Sequence, residues 1–135
     1  MNEIIKNLWL SGWEGALNYE LKEHFGIKAQ LNLARELHIN PESLEYLKLD
    51  MIDHHPFVKE DIDKCINFIK SNIKSPVLVN CFWGVSRSAG MILCYLLEEG
   101  WSILEATTLL KLKRPIVNIS PMIMTSVKHH YPQLT

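Results

Sequence analysis

Long apolar runs are missing from this 135-residue chain, and so is any excess of basic charge. With no apolar stretch of membrane-spanning length and no signal-peptide pattern at the start, the sequence predicts neither a membrane span nor export. Fourteen Lys and Arg against fifteen Asp and Glu leave a net charge of -1, which provides no field for a polyanion. A nucleic-acid partner is therefore not expected, and any phosphate site has to be built locally. Cysteine is scarce as well. Cys65, Cys81 and Cys94 are odd in number, and none forms a C-x-x-C pair of the kind that holds zinc or cycles redox state. Cys65 and Cys94 read as buried thiols of a reducing compartment. The expected protein is a monomer of the cytoplasm with the nucleus also open to it, needing no cofactor and no metal. Adjacent pairs such as His54-His55 and His129-His130 are read as solvated loop residues, not ligands.

What the chain does have is the making of one packed domain over residues 1–135. Its hydrophobic content of 47% and charged content of 21% are those of an ordinary globular protein. No repeat, linker or low-complexity segment interrupts it. Leu8-Trp9-Leu10 predicts a short strand closed by Ser11-Gly12, and Ala16 to Phe25 a helix ended by Gly26. Ile27 to Leu33 and Leu44 to Leu49 predict two further strands. Ile62, Cys65, Ile66, Ile69 and Ile73 form the stripe of an amphipathic helix, broken by Ser75-Pro76. Val77-Leu78-Val79 is a short, wholly apolar strand of the buried kind. A helix from about Ser88 to Glu99 stops at Gly100, Ser102-x-x-Glu105 is a capping box for the next, and Ser120-Pro121 opens the last. Alternating strands and helices predict an α/β fold: a central, mostly parallel twisted sheet flanked by helices.

Chemistry concentrates in Asn80-Cys81-Phe82-Trp83-Gly84-Val85-Ser86-Arg87-Ser88. A buried strand delivers Cys81 at its C-terminal end, where such sheets place ligand sites. Five residues separate it from Arg87, at the mouth of a helix. Such a loop can turn successive N–H groups of Phe82, Trp83, Gly84, Val85, Ser86 and Arg87 toward an anion at a helix N-terminus, and the same field stabilises a thiolate. Gly84 lets backbone pass under the anion without a side chain in the way. Arg87 offers a planar fork for two phosphate oxygens, which lysine cannot match. A cysteine with arginine six positions on is weak, arising by chance in roughly one chain in seven of this composition. Adding the glycine and the hydroxyl residue after arginine reduces that to about one in a thousand.

Cys81 through Ala89 resembles the phosphate-binding loop of the dual-specificity protein phosphatases. The likeness extends to Leu8-Trp9-Leu10-Ser11-Gly12, Phe25-Gly26-Ile27 with Leu31-Asn32-Leu33-Ala34, Tyr46 through Asp53, and Arg114-Pro115. It implies a bare catalytic domain of the small, atypical kind, cleaving phosphotyrosine and phosphoserine or phosphothreonine in proteins by way of a cysteinyl-phosphate. Cys81 would be the nucleophile and Arg87 the phosphate clamp. By the resemblance, Ser88 would hydrogen-bond the departing sulfur. Expelling an alkoxide needs a proton donor, and the residues alone leave Asp50 and Asp53 open; Asp53 falls at the family's acid position, seven residues beyond Tyr46.

Two departures stand out. Asn80 occupies the place where the family usually has histidine, and Ile119-Ser120-Pro121-Met122 replaces a common Pro-Asn. On this reading Asn80→His would favour the thiolate and raise activity at acidic pH. The alternatives are a pseudophosphatase that binds phosphorylated partners without turnover, a phosphatase of a non-protein phosphoester, and rhodanese-type sulfur transfer. The uncharged Phe82, Trp83 and Val85 favour protein phosphoesters.

Overall fold

The computed structural model describes residues 1–134. Strand β5 (Val77–Asn80) lies in the middle of a five-stranded sheet, between β2 (Leu8–Ser11) and β3 (Ala29–Ala34), with β1 (Asn2–Ile5) and β4 (Glu45–Met51) at the edges. Only the β1–β2 pairing is antiparallel. A central parallel strand is covered on both faces, which is why Val77-Leu78-Val79 is apolar without alternation. The register sets Leu10 and Leu31 beside Val79, and Ser11 and Asn32 beside Asn80.

Side chains alternate along a strand, so Leu8, Leu10, Leu31, Leu33, Val77 and Val79 share a face. All are fully buried, in a core shared with α3 (Lys59–Asn72), α4 (Arg87–Glu98), α5 (Ile103–Lys113) and α6 (Pro121–His130). Each such aliphatic side chain contributes about 1.5–3 kcal/mol by leaving water. The opposite face carries Gln30, Asn32 and Asn80, also fully buried. The segment that covers them was expected to be one helix from Ala16 to Phe25. It is two, α1 (Trp13–Leu17) and α2 (Tyr19–His24), parted at Asn18. Asn18 leaves helical geometry with ψ 92° and its side chain accepts from the Leu21 N–H at 3.0 Å. Asparagine is worth more as a cap than inside a helix, and the chain uses it so.

The expected helix punctuation is present. Glu105 N–H donates to Ser102 Oγ (3.1 Å) while Ser102 N–H donates to Glu105 Oε1 (3.0 Å), and Gly26 ends α2 at φ +70°. Strand β1 has no counterpart in the sequence reading, since Asn2-Glu3-Ile4-Ile5 is too short and polar to signal itself. Among the described residues no helix is long and apolar enough to cross a membrane.

Candidate active site

The loop from Cys81 to Ser86 takes its shape from what its carbonyls are bonded to. Cys81 O accepts from Asn80 Nδ2 (3.4 Å), and Phe82 O from the Trp13 N–H at the start of α1 (2.7 Å). Arg114 takes the next two, donating from Nη2 to Trp83 O (3.5 Å) and from Nε to Gly84 O (2.8 Å). Val85 O accepts from the Asn118 N–H (2.9 Å) and Ser86 O from the Gly90 N–H (2.7 Å). In a trans peptide the C=O and the following N–H point in opposite directions. Six carbonyls held outward therefore turn six N–H groups, from Phe82 to Arg87, toward the inside of the loop. One reports this directly: the Gly84 N–H donates to Cys81 Sγ at 3.3 Å. The result is an anion nest at the N-terminus of α4, where the helix dipole adds to the field.

Two glycines make the curl possible. Gly84 sits at φ +67°, and a Cβ there would lie 2.5 Å from Gly12 N and from Arg114 Nη2. A Cβ at Gly12 would in turn lie 2.8 Å from Phe82 O. Gly12 thus seats the β2–α1 turn against the loop, a role that its place in the sequence did not reveal.

Cys81 is buried at the mouth of β5, its Sγ 3.1 Å from Ser88 Oγ and hydrogen-bonded to it. Arg87 is 1% exposed and held as a fork: Nη1 and Nη2 donate to Glu36 Oε1 and Oε2, both at 2.8 Å, and Nη1 also donates to Met51 O at 2.9 Å. Its Nε has no partner among the described residues, an orphaned buried donor suited to an oxygen of a bound oxyanion. Burial works against the Arg87 cation, but the Glu36 hydrogen bonds and the fields of Cys81, Glu36 and Asp53 outweigh it, so its proton is held more tightly than usual. The same hydrogen bonds bring the Glu36 carboxyl down to about 2. Sequence reasoning missed Glu36. The only available signal was that a buried arginine needs a carboxylate, and that Glu36 follows the C-terminal end of a parallel strand.

Of the two candidate acids, Asp50 lies within β4, exposed and paired with Lys48 Nζ at 3.4 Å. Asp53 occupies a turn, its Oδ1 accepting from the His54 N–H at 2.9 Å with His54 at φ +63°, and its charge acts on Arg87. Trp83 is 63% exposed; with Trp13, Val85, Arg114 and Ile116 it lines a cavity of about 520 Å3 beside the loop. Burial pushes the Cys65 and Cys94 thiols well above the ordinary range, as inert core cysteines. No cluster of three or more potential metal ligands occurs among the described residues.

Comparison with known proteins finds matches along most of the chain. The family described as dual specificity phosphatase, catalytic domain, matches residues 8–133. The chain belongs to that family. It is 31% identical to a probable rhodanese domain-containing dual specificity protein phosphatase of Dictyostelium discoideum, over 99% of this chain and 29% of the relative. It is also 31% identical to dual specificity protein phosphatase 14 of Mus musculus, over 85% of this chain and 61% of the relative. The chain thus spans less than two thirds of these curated relatives. The crystal structure of human DUSP28 superposes with a TM-score of 0.91 at 19% identity, over 99% of this chain and 97% of that one, and so shares the fold.

Within this dual-specificity phosphatase domain, both departures noted in the sequence touch the loop. Ser120 N–H donates to Ser86 Oγ (2.8 Å), and Ser120 Oγ accepts from the Ile123 N–H (3.4 Å), so one residue braces the loop and caps α6. Asn80 is fully buried in a row of side-chain amides: Gln30 Nε2 donates to Asn80 Oδ1 (3.0 Å) and Asn80 Nδ2 donates to Asn32 Oδ1 (3.1 Å).

Proposed function

We propose that this domain, acting as a cytoplasmic monomer without cofactor, hydrolyses phosphotyrosine and phosphoserine or phosphothreonine in proteins. The observation that carries the reading is the loop around Cys81 Sγ, with its carbonyls bonded to donors outside it, the Gly84 N–H on the sulfur and the Glu36-held Arg87 fork beside it. They present donors to the equatorial oxygens of a phosphoryl group in line with the sulfur. The Cys81 thiolate attacks phosphorus, an S–P bond forms and the P–O bond to the seryl, threonyl or tyrosyl oxygen breaks. Asp53, protonated, gives its proton to that oxygen. The resulting carboxylate then takes a proton from water, whose oxygen bonds to phosphorus as the S–P bond breaks, with Ser88 hydrogen-bonding the departing sulfur. Inorganic phosphate leaves and both groups are restored. The uncharged Phe82, Trp83 and Val85 at the rim support a protein substrate over a highly anionic one.

Turnover of 4-nitrophenyl phosphate and of a phosphopeptide panel tests this. Cys81→Ser should abolish turnover yet still bind phosphate or vanadate, because nest and fork remain. Substantial turnover by Cys81→Ser would remove the nucleophile assignment. Binding of phosphopeptides by the wild type with no turnover would make the domain a phosphate-reading module instead.

A further inference from the structure

The mechanism above makes no use of the polar side chains buried behind β5. Lys22, on α2, is only 5% exposed. Its ammonium donates to Ala16 O (2.8 Å) and Gln30 Oε1 (2.9 Å). Gln30 passes the bond on to Asn80 Oδ1, and also donates to Ala16 O (3.3 Å). Asn80 Nδ2 donates to Asn32 Oδ1 and to Cys81 O.

The direction of this row is fixed from both ends. At one end an ammonium can only donate, so Gln30 must offer it Oε1 and turn Nε2 to Asn80. At the other, the Ala34 N–H donates to Asn32 Oδ1 (3.1 Å), while Asn32 Nδ2 donates to Leu37 O (2.8 Å) and Tyr46 OH (3.1 Å). Asn80 must therefore present its amide nitrogen to Asn32 and to Cys81 O. Aligned donors polarise one another, so the row carries part of the Lys22 charge toward the loop. Ala16, whose carbonyl is the other Lys22 acceptor, shares a small apolar cluster with Cys81. An ammonium is a costly group to bury, and a methionine would fill the space without that cost.

We propose that Lys22 is a positioning residue for Cys81: through Gln30 and Asn80 it fixes the first peptide of the loop and favours the thiolate. Pulling Cys81 O toward Asn80 turns the Phe82 N–H inward. The proposal rests on Cys81 being the nucleophile of the reading above. The charged groups that share the job are identifiable. Arg87 and Arg114 feel the Cys81 charge, with Glu36 and Asp53 acting on Arg87 and Glu14 on Arg114. Burial lowers the Lys22 proton affinity, and Glu42 opposes that. On β4, Tyr46 holds Asn32, and Lys48 Nζ donates to Ala34 O (2.7 Å) and Leu37 O (3.1 Å).

Alkylation of Cys81 by iodoacetamide, followed by mass spectrometry from about pH 4 to 9, reads the thiolate without requiring turnover. In Lys22→Met that retains its fold by circular dichroism, the midpoint should move up by about half to one pH unit, and Lys22→Arg should return it. An unmoved midpoint overturns the proposal. Should Lys22→Met fail to fold, the wild type supplies the reciprocal measurement, since coupling between two sites is symmetric. Blocking Cys81 as its neutral carbamidomethyl thioether should lower the Lys22 titration followed by NMR of labelled lysine; an unchanged Lys22 titration overturns the proposal equally. A chain that shows the alkylation shift but hydrolyses no phosphoester would fail the phosphatase reading and leave this one standing.

Discussion

At the scale of single residues, Asp50 near the end of β4 and Asp53 in the turn beyond it have been given different work by their surroundings. Asp50 is exposed and spent on Lys48, whereas the charge of Asp53 is felt by Arg87. Asp53→Asn should cost about 10²–10⁴ in kcat on phosphothreonine peptides, whose leaving oxygen needs a proton, and far less on activated aryl phosphates. Asp50→Asn should cost little on either, and the reverse pattern in parallel assays would mean the wrong acid has been assigned. Glu36 makes a separate prediction about acid. Its folded-state carboxyl titrates at about 2 against an ordinary 4.5, because the Arg87 hydrogen bonds favour the charged form. A depressed acid stabilises the fold fully above the unfolded value, and that contribution drains away as pH falls from about 4.5 toward 2. The group is half exposed, so water moderates the effect. Thermal unfolding of Glu36→Gln should start from a lower Tm at neutral pH and fall less steeply on acidification. Parallel curves for the two proteins would show that the fork adds nothing to stability.

At the scale of elements, the row Lys22–Gln30–Asn80–Asn32 alters what the sequence suggested for position 80. Asn80 sits between a donor, Gln30 Nε2, and an acceptor, Asn32 Oδ1. A neutral imidazole could serve both; an imidazolium would set N–H against N–H, and Lys22 prevents Gln30 from turning over. Asn80→His should therefore bring little gain at acidic pH on its own. The gain should emerge when it is combined with Lys22→Met, as read by pH–rate profiles of the single and double variants; a full gain in Asn80→His alone would contradict the fixed direction of the row. The apolar half of the sheet was legible because Ala29, Leu31 and Leu33 alternate with polar residues and Val77-Leu78-Val79 does not. The polar half was not. Nothing local to Gln30 and Asn32 in their alternating strand marks them as core, and only the packing of α1 and α2 shows them fully buried. The loop's cysteine, glycine and arginine were legible because their spacing is local. Glu36, Gly12 and Arg114 reach the loop from other elements, at separations no local pattern encodes.

At the scale of the whole molecule, the central strand delivers Cys81 while three different regions tie down the loop that follows: α1 through Trp13, the segment after α5 through Arg114 and Asn118, and α4 through Gly90. The loop is thus the meeting point of elements far apart in the chain. Since the chain's own donors hold all six carbonyls, the loop's form is dictated by the protein and not by the ion it receives. In kinetic language, the fraction of molecules competent to bind is close to one, and no conformational tax is deducted from affinity. Association with vanadate, followed by tryptophan fluorescence in stopped flow through Trp83, should be a single exponential whose rate climbs linearly with concentration. A rate that levels off would reveal a closing step that the loop's bonding makes unnecessary. Evolution of substrate choice in such a domain would then act on the rim, where Trp13 and Trp83 stand exposed, and leave the arrival of phosphate as a matter of diffusion.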